Sequence, residues 1–159
     1  MFHNSEYEYI KNIIDNQTKL NYKIKENDIM DIISNSGLTE HEKYFSDSDD
    51  TSIFNSSTLL NIAPHEYVTK LLKYFRCPTE HLIISIIYIK RLLKTNTIII
   101  TSKNTHYLLF IALILTMYYW DDEVYNINKC AIHCGISSVD KTNEMIIKFL
   151  NIINWDLYI

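Results

Sequence analysis

A chain of 159 residues is long enough for one domain with a real core, and an apolar share of 47% marks it as folded rather than disordered. Only 2 Gly and 2 Pro are present, too few for the tight turns of sandwiches, barrels and nucleotide-cradling α/β folds. A formal net charge of -4 argues against nonspecific nucleic-acid binding, which depends on Lys and Arg neutralising phosphates.

The first sixty residues are polar and weakly patterned. Tyr7, Ile10, Ile13 and Ile14 can line one short amphipathic helix, and Ile24 to Ile33 a second, with Ser34 to Gly37 as its stop. Ser46-Asp47-Ser48-Asp49-Asp50 and the Ser/Thr/Asn run to Thr58 then read as a solvated, acidic loop, which is also a composition that acidophilic kinases favour. This places a polar extension at residues 1–59 and the domain proper at 60–159.

From Pro64 the pattern hardens. Pro64 suits a first helical turn, and Val68, Leu71, Leu72 and Phe75 follow at i, i+3, i+4 and i+7 on one helical face. Cys77-Pro78 ends that helix, because proline disfavours helical geometry in the residue before it. Thr79 is the expected N-cap of the next, and Leu82 to Leu93, apolar almost all round, should be a central helix. Thr95 to Thr101 breaks the run; Ile98 to Ile100 is read there as linker rather than strand. Thr101 or Ser102 is expected to cap a third helix that runs to Trp120. Its Tyr107 to Trp120 stretch is too short to span a bilayer and is expected in the core. Asp121-Asp122-Glu123 ends it. A short helix over Asn126 to Cys134 stops at Gly135, a natural C′ residue. Ser137 or Ser138 caps a last helix with Met145, Ile146, Phe149, Leu150 and Ile153 as its buried stripe. Ile and Tyr favour strands by propensity, but the apolar spacing is helical, and spacing decides. An all-α fold is expected.

These helices carry particular residues in order. His65-Glu66-Tyr67 follows a proline. Tyr88-Ile89-Lys90-Arg91-Leu92-Leu93 comes next, then Thr101-Ser102-x-Asn104-x-His106-x-Leu108. Asp121-Asp122 precedes Asn128, Ala131 and Gly135-Ile136-Ser137. Asn143-x-Met145, Phe149-Leu150 and Asn154-Trp155-x-Leu157 close the set. From Pro64 onward this ordered set resembles the cyclin box, and within it the P-type cyclins of phosphate signalling. The resemblance implies a single five-helix cyclin box preceded by a helical segment. It also implies a non-catalytic regulatory subunit that binds and activates a cyclin-dependent-kinase-like protein as a heterodimer.

Cyclin boxes commonly carry a lysine late in the third helix and a glutamate in the fifth, at the surface that holds the kinase. The corresponding positions here are Tyr118 and, with one residue inserted after Gly135, Ile146; Glu144 stays open as the glutamate. The arginine that often follows the third-helix histidine is Tyr107, and the aspartate before the second-helix arginine is Lys90. Losing both members of a charge pair is compatible with a stable fold, but the partner contact must then use other chemistry. The resemblance places that contact at Tyr118, Asp121 and Asp122 after the third helix and at Asn143, Ile146 and Phe149 in the fifth, with Lys90 and Arg91 as supports. The rival reading is a degenerate cyclin scaffold that binds a non-kinase protein, and exposure of Tyr118 and Ile146 discriminates between the two.

Other chemistry has weaker support. Cys130-x-x-His133-Cys134 invites a zinc reading but offers too few ligands at short spacing, so structural cysteines are expected and no metal. Asp121-Asp122-Glu123 reads as a helix-ending turn whose charge Lys90 or Arg91 could answer. With no Gly-x-Ser-x-Gly, phosphate loop or His-Glu-x-x-His, no catalytic residue, small-molecule substrate or cofactor is expected. The polar opening from Met1 to Tyr9 carries no secretory signal, and three cysteines cannot all pair with one another. An intracellular setting, cytoplasmic or nuclear, is expected, with neither membrane nor nucleic acid as partner.

Overall fold

The computed structural model describes residues 26–38, 52–56, 61–122, 126–133, 135 and 138–159. Among these, six helices and no strand occur: α1 Glu26–Asn35, α2 Pro64–Phe75, α3 Thr79–Lys94, α4 Thr105–Trp120, α5 Ile127–His133 and α6 Val139–Ile152. The all-α expectation holds. The helix suggested by Tyr7 to Ile14 and the acidic serine cluster lie outside the described residues.

α1 is amphipathic. Ile29, Ile32 and Ile33 are buried while Met30 and Asp31 face out, and the helix packs on α2. Its stop is local: the Ser36 hydroxyl donates to the Ile33 carbonyl, and Gly37 adopts φ +73°, open to glycine at no steric cost. α2 starts with Pro64 in its first turn and buries Tyr67, Val68, Leu71, Leu72 and Phe75. Arg76 takes the left-handed conformation at its end, and the Cys77 N–H reaches back to the Leu72 carbonyl.

α3 departs from expectation at its start. Pro78 holds the N-cap position and Thr79 is already helical and buried. The start of α4 departs too, because Asn104 takes the cap position rather than Thr101 or Ser102. The buried Asn104 carboxamide organises the turn, accepting from the Thr101 N–H at 2.9 Å and donating to the Ile99 carbonyl at 2.8 Å. Residues 98 to 100 form the linker, as expected.

The centre of the molecule is α4 rather than α3. Every residue from Thr105 to Met117 is buried, and the helix touches α2, α3 and α6. A helix apolar on all sides must be surrounded, and no described helix is long and apolar enough to cross a membrane. α5 buries Cys130 and Ala131 against α6 and ends at Gly135, φ +75°. The Ser138 hydroxyl caps α6 by accepting from the Lys141 N–H, and the expected stripe, Met145 to Ile153, is buried.

One expected loop residue belongs to the core. Phe54, from the Ser/Thr/Asn run, is fully buried and meets Phe149 edge-on with ring centroids 6.4 Å apart. Its backbone is fixed by the Ser56 N–H on the Lys103 carbonyl and by the Lys141 ammonium on the Asn55 carbonyl. A single phenylalanine among polar residues has no period to reveal it.

Candidate functional site: the ends of α4 and α6

α4 stays buried to Met117, then turns outward. Tyr118, Tyr119 and Trp120 are all exposed, Tyr118 by 38%. Three successive aromatics cannot share one face of a helix, so they spread around its last turn. Tyr119 and Trp120 stack edge-to-face at 5.3 Å. The Trp120 indole donates to the Tyr88 hydroxyl at 2.9 Å, which donates in turn to the Leu157 carbonyl at 2.8 Å. Tyr118 lies near Cys130 on α5, and burial raises its phenol pKa above the ordinary value of 10.0, with the Cys130 thiol acting in the same sense.

Asp121 continues from α4 in extended geometry, and Asp122 beyond it is exposed. Negative charge at a helix C-terminus is unfavourable, and a histidine answers it: His81 Nε2 lies 2.7 Å from Asp121 Oδ1. The expected compensator Arg91 is used elsewhere. Its guanidinium donates to the Asp156 and Tyr158 carbonyls at 2.6 and 2.7 Å and sits 3.2 Å from the Asp156 carboxylate. Arg91 therefore pins the chain's exit to α3, and Lys90 beside it is half-buried. Sequence reasoning missed His81 in this role because forty residues separate it from Asp121.

On α6 the expected contact residues divide. Asn143 is exposed. Ile146 is 9% exposed and Phe149 is wholly enclosed, so both face the core and reach a partner only by holding the helix in place. Glu144, the other candidate for the family's glutamate, is exposed, and so is Ile147. With Ile53, Asn143, Asn151 and Ile152, these two line an open groove of about 660 Å³. At the position of the family's third-helix arginine, Tyr107 is buried and receives a cation from α6, the Lys141 ammonium 5.0 Å from its ring centroid.

Beneath the acidic turn, the Cys77 thiol donates to the Met117 sulfur at 3.2 Å. Burial, with Asp121 and Cys130 nearby, pushes its pKa up to about 12. Cys130 is buried and its pKa is raised, again mainly by burial. Both described cysteines are buried and free of disulfide bonds; the side chains of His133 and Cys134 lie outside the described residues.

The site presents aromatic and acidic surface at one helix end and a mixed groove on another helix. Exposed aromatic rings are enriched at protein–protein interfaces. No curated protein matches the chain. A family model described as Cyclin matches residues 8–157, from the segment before α1 to the exit that Arg91 and Tyr88 hold. The match spans nearly the whole sequence and the described helices form an all-α fold, so the chain belongs to the cyclin family.

Proposed function

We propose that the chain is a P-type cyclin in function: a non-catalytic subunit that binds and activates a cyclin-dependent-kinase-like protein in the cytoplasm or nucleus. The observation that carries this reading is the end of α4, where the helix leaves the core and exposes three aromatic rings beside Asp122. Tyr118 stands where the family's kinase-holding lysine commonly lies. Aromatic anchors dominate protein interfaces, so Tyr118 contributes by desolvation where a lysine contributes charge. Asp121, Asp122 and Asn143 supply polar contacts, while Ile146 and Phe149 fix α6 from inside. Binding of this surface favours the kinase's active arrangement by selecting a conformation already available to it.

A specific observation favours the second reading, a cyclin scaffold for a non-kinase partner. Ile146 has joined the core and Tyr118 stands at the lysine position, so the family's charged pair is absent as a pair even where Glu144 takes the place of the glutamate.

Co-purification with the organism's cyclin-dependent kinases separates the two. A stoichiometric kinase complex is expected, weakened on the order of thirtyfold by Tyr118→Ala, about 2 kcal/mol for a hot-spot aromatic. Failure to recover any kinase at stoichiometric level removes the first reading. Ile146→Glu is unsuitable as a contact probe, because it puts a charge into the core.

A further inference from the structure

The place where α2 ends, α3 begins and α4 ends gathers three side chains of metal-ligand type. Cys77 lies just past α2, His81 is in the first turn of α3, and Asp121 follows Trp120. A sulfur, a ring nitrogen and a carboxylate oxygen, one from each, all lie within 4.8 Å of one another. Donors around a tetrahedral zinc stand roughly 3.3–3.6 Å apart, given metal–ligand distances near 2.0–2.3 Å. To reach that range the 2.7 Å His81–Asp121 contact opens and the wider separations, within 4.8 Å, close.

His81 is 8% exposed and its Nε2 lies 2.7 Å from Asp121 Oδ1, so two of the three donors already face one another at a nearly buried position. An ion bound there takes the place of the proton these two share and displaces the proton of the Cys77 thiol. The resulting thiolate and the Asp121 carboxylate then balance the charge of a divalent cation inside an otherwise apolar wall. The Asp121 side chain is 23% exposed, which gives the site an edge on solvent from which water can complete the shell.

We propose that Cys77, His81 and Asp121 form a site for one divalent ion of zinc type. Thiolate and imidazole select such ions over magnesium and calcium, which prefer all-oxygen shells. The ion would clamp the three helix ends directly beneath Tyr118 to Trp120. The site does not depend on the kinase reading and takes none of its three ligands from the Cys130-x-x-His133-Cys134 motif.

The test is titration of chelator-treated full-length chain with zinc by calorimetry and with cobalt by absorption spectroscopy. Expected are one ion per chain, a sulfur-to-cobalt charge-transfer band and a raised melting temperature. Cys77→Ser should abolish the band and weaken binding by at least about tenfold. Asp121→Asn should weaken binding and keep the band, and Cys130→Ser should change neither. Circular dichroism establishes that each variant is folded, and Asp121→Asn carries the test should Cys77→Ser unfold. The proposal is overturned by sub-stoichiometric binding, or by a band that survives Cys77→Ser and is lost in Cys130→Ser. Unchanged affinity in Asp121→Asn also overturns it.

Discussion

Tyr88 is enclosed in α3, and its hydroxyl joins Trp120 of α4 to the Leu157 carbonyl of the exit. Burial raises its pKa above 10.0, opposed by the Trp120 hydrogen bond and by Arg91, whose guanidinium carbon lies 6.0 Å from the ring centroid. A raised folded-state value means the unfolded chain loses this proton first. Stability from this group is complete below the unfolded value and falls as pH rises from about 10 toward the folded one. Denaturant unfolding across that range should show a shallower alkaline decline in Tyr88→Phe than in the parent. At neutral pH the same variant should lose about 1 kcal/mol, because the Trp120 N–H and the Leu157 carbonyl lose their shared partner. Residue roles of this kind were poorly legible in the sequence. Phe54 read as loop and is core; Ile146 read both as part of the buried stripe and as a contact, and it is buried. His81 was one scattered histidine and is the partner of Asp121.

At the scale of the element, local chemistry was legible where one candidate stood alone. Pro64 opens α2 and Gly135 follows α5; of the two serines expected for α6, Ser138 is the cap. It was less legible where several candidates crowd together, as at Thr101, Ser102 and Asn104. Burial chose Asn104 there, since its carboxamide can satisfy two backbone groups at once. The exit after α6 is an element held from outside. Asn154 and Trp155 both take positive φ, and the segment beyond is tied to α3 by Arg91 and Tyr88. Arg91→Ala should cost about 1 kcal/mol, since the bonds it breaks are at the surface. Amide hydrogen exchange should quicken at residues 156–159 while α4 keeps its protection. Unchanged exchange there would show that Arg91 does not hold the exit.

Across the whole molecule, one hydrophobic core takes Ile29, Ile32, Ile33 and Leu38 from the first segment, Phe54 from the loop, and the stripes of α2 to α6. The compositional boundary near residue 60 is therefore not a boundary of packing among the described residues. The family match likewise runs through it from residue 8. Removing residues 1–59 should destabilise the remainder by several kcal/mol, since each large apolar side chain withdrawn forfeits about 1.5–3 kcal/mol. A thermal melt of the truncated chain checks this; an unchanged midpoint would show that the segment merely covers a self-sufficient box.

The sequence by itself determined the helical class, the order of five helices from Pro64 onward and the family they belong to. These follow from apolar period, scarce turn residues and motif order, all of which are local or one-dimensional. Only the tertiary structure decided what lies against each helical face. Helical phase, turning each residue about 100° from the last, already puts Ile146 in the core and the adjacent Ile147 outside it, but that Ile147 lines a groove with Ile53 follows only from packing. It also decided which polar side chains meet: His81 with Asp121, and Arg91 with Asp156. Both pairings join residues forty or more apart, and no local pattern encodes a contact that exists only once the helices have packed.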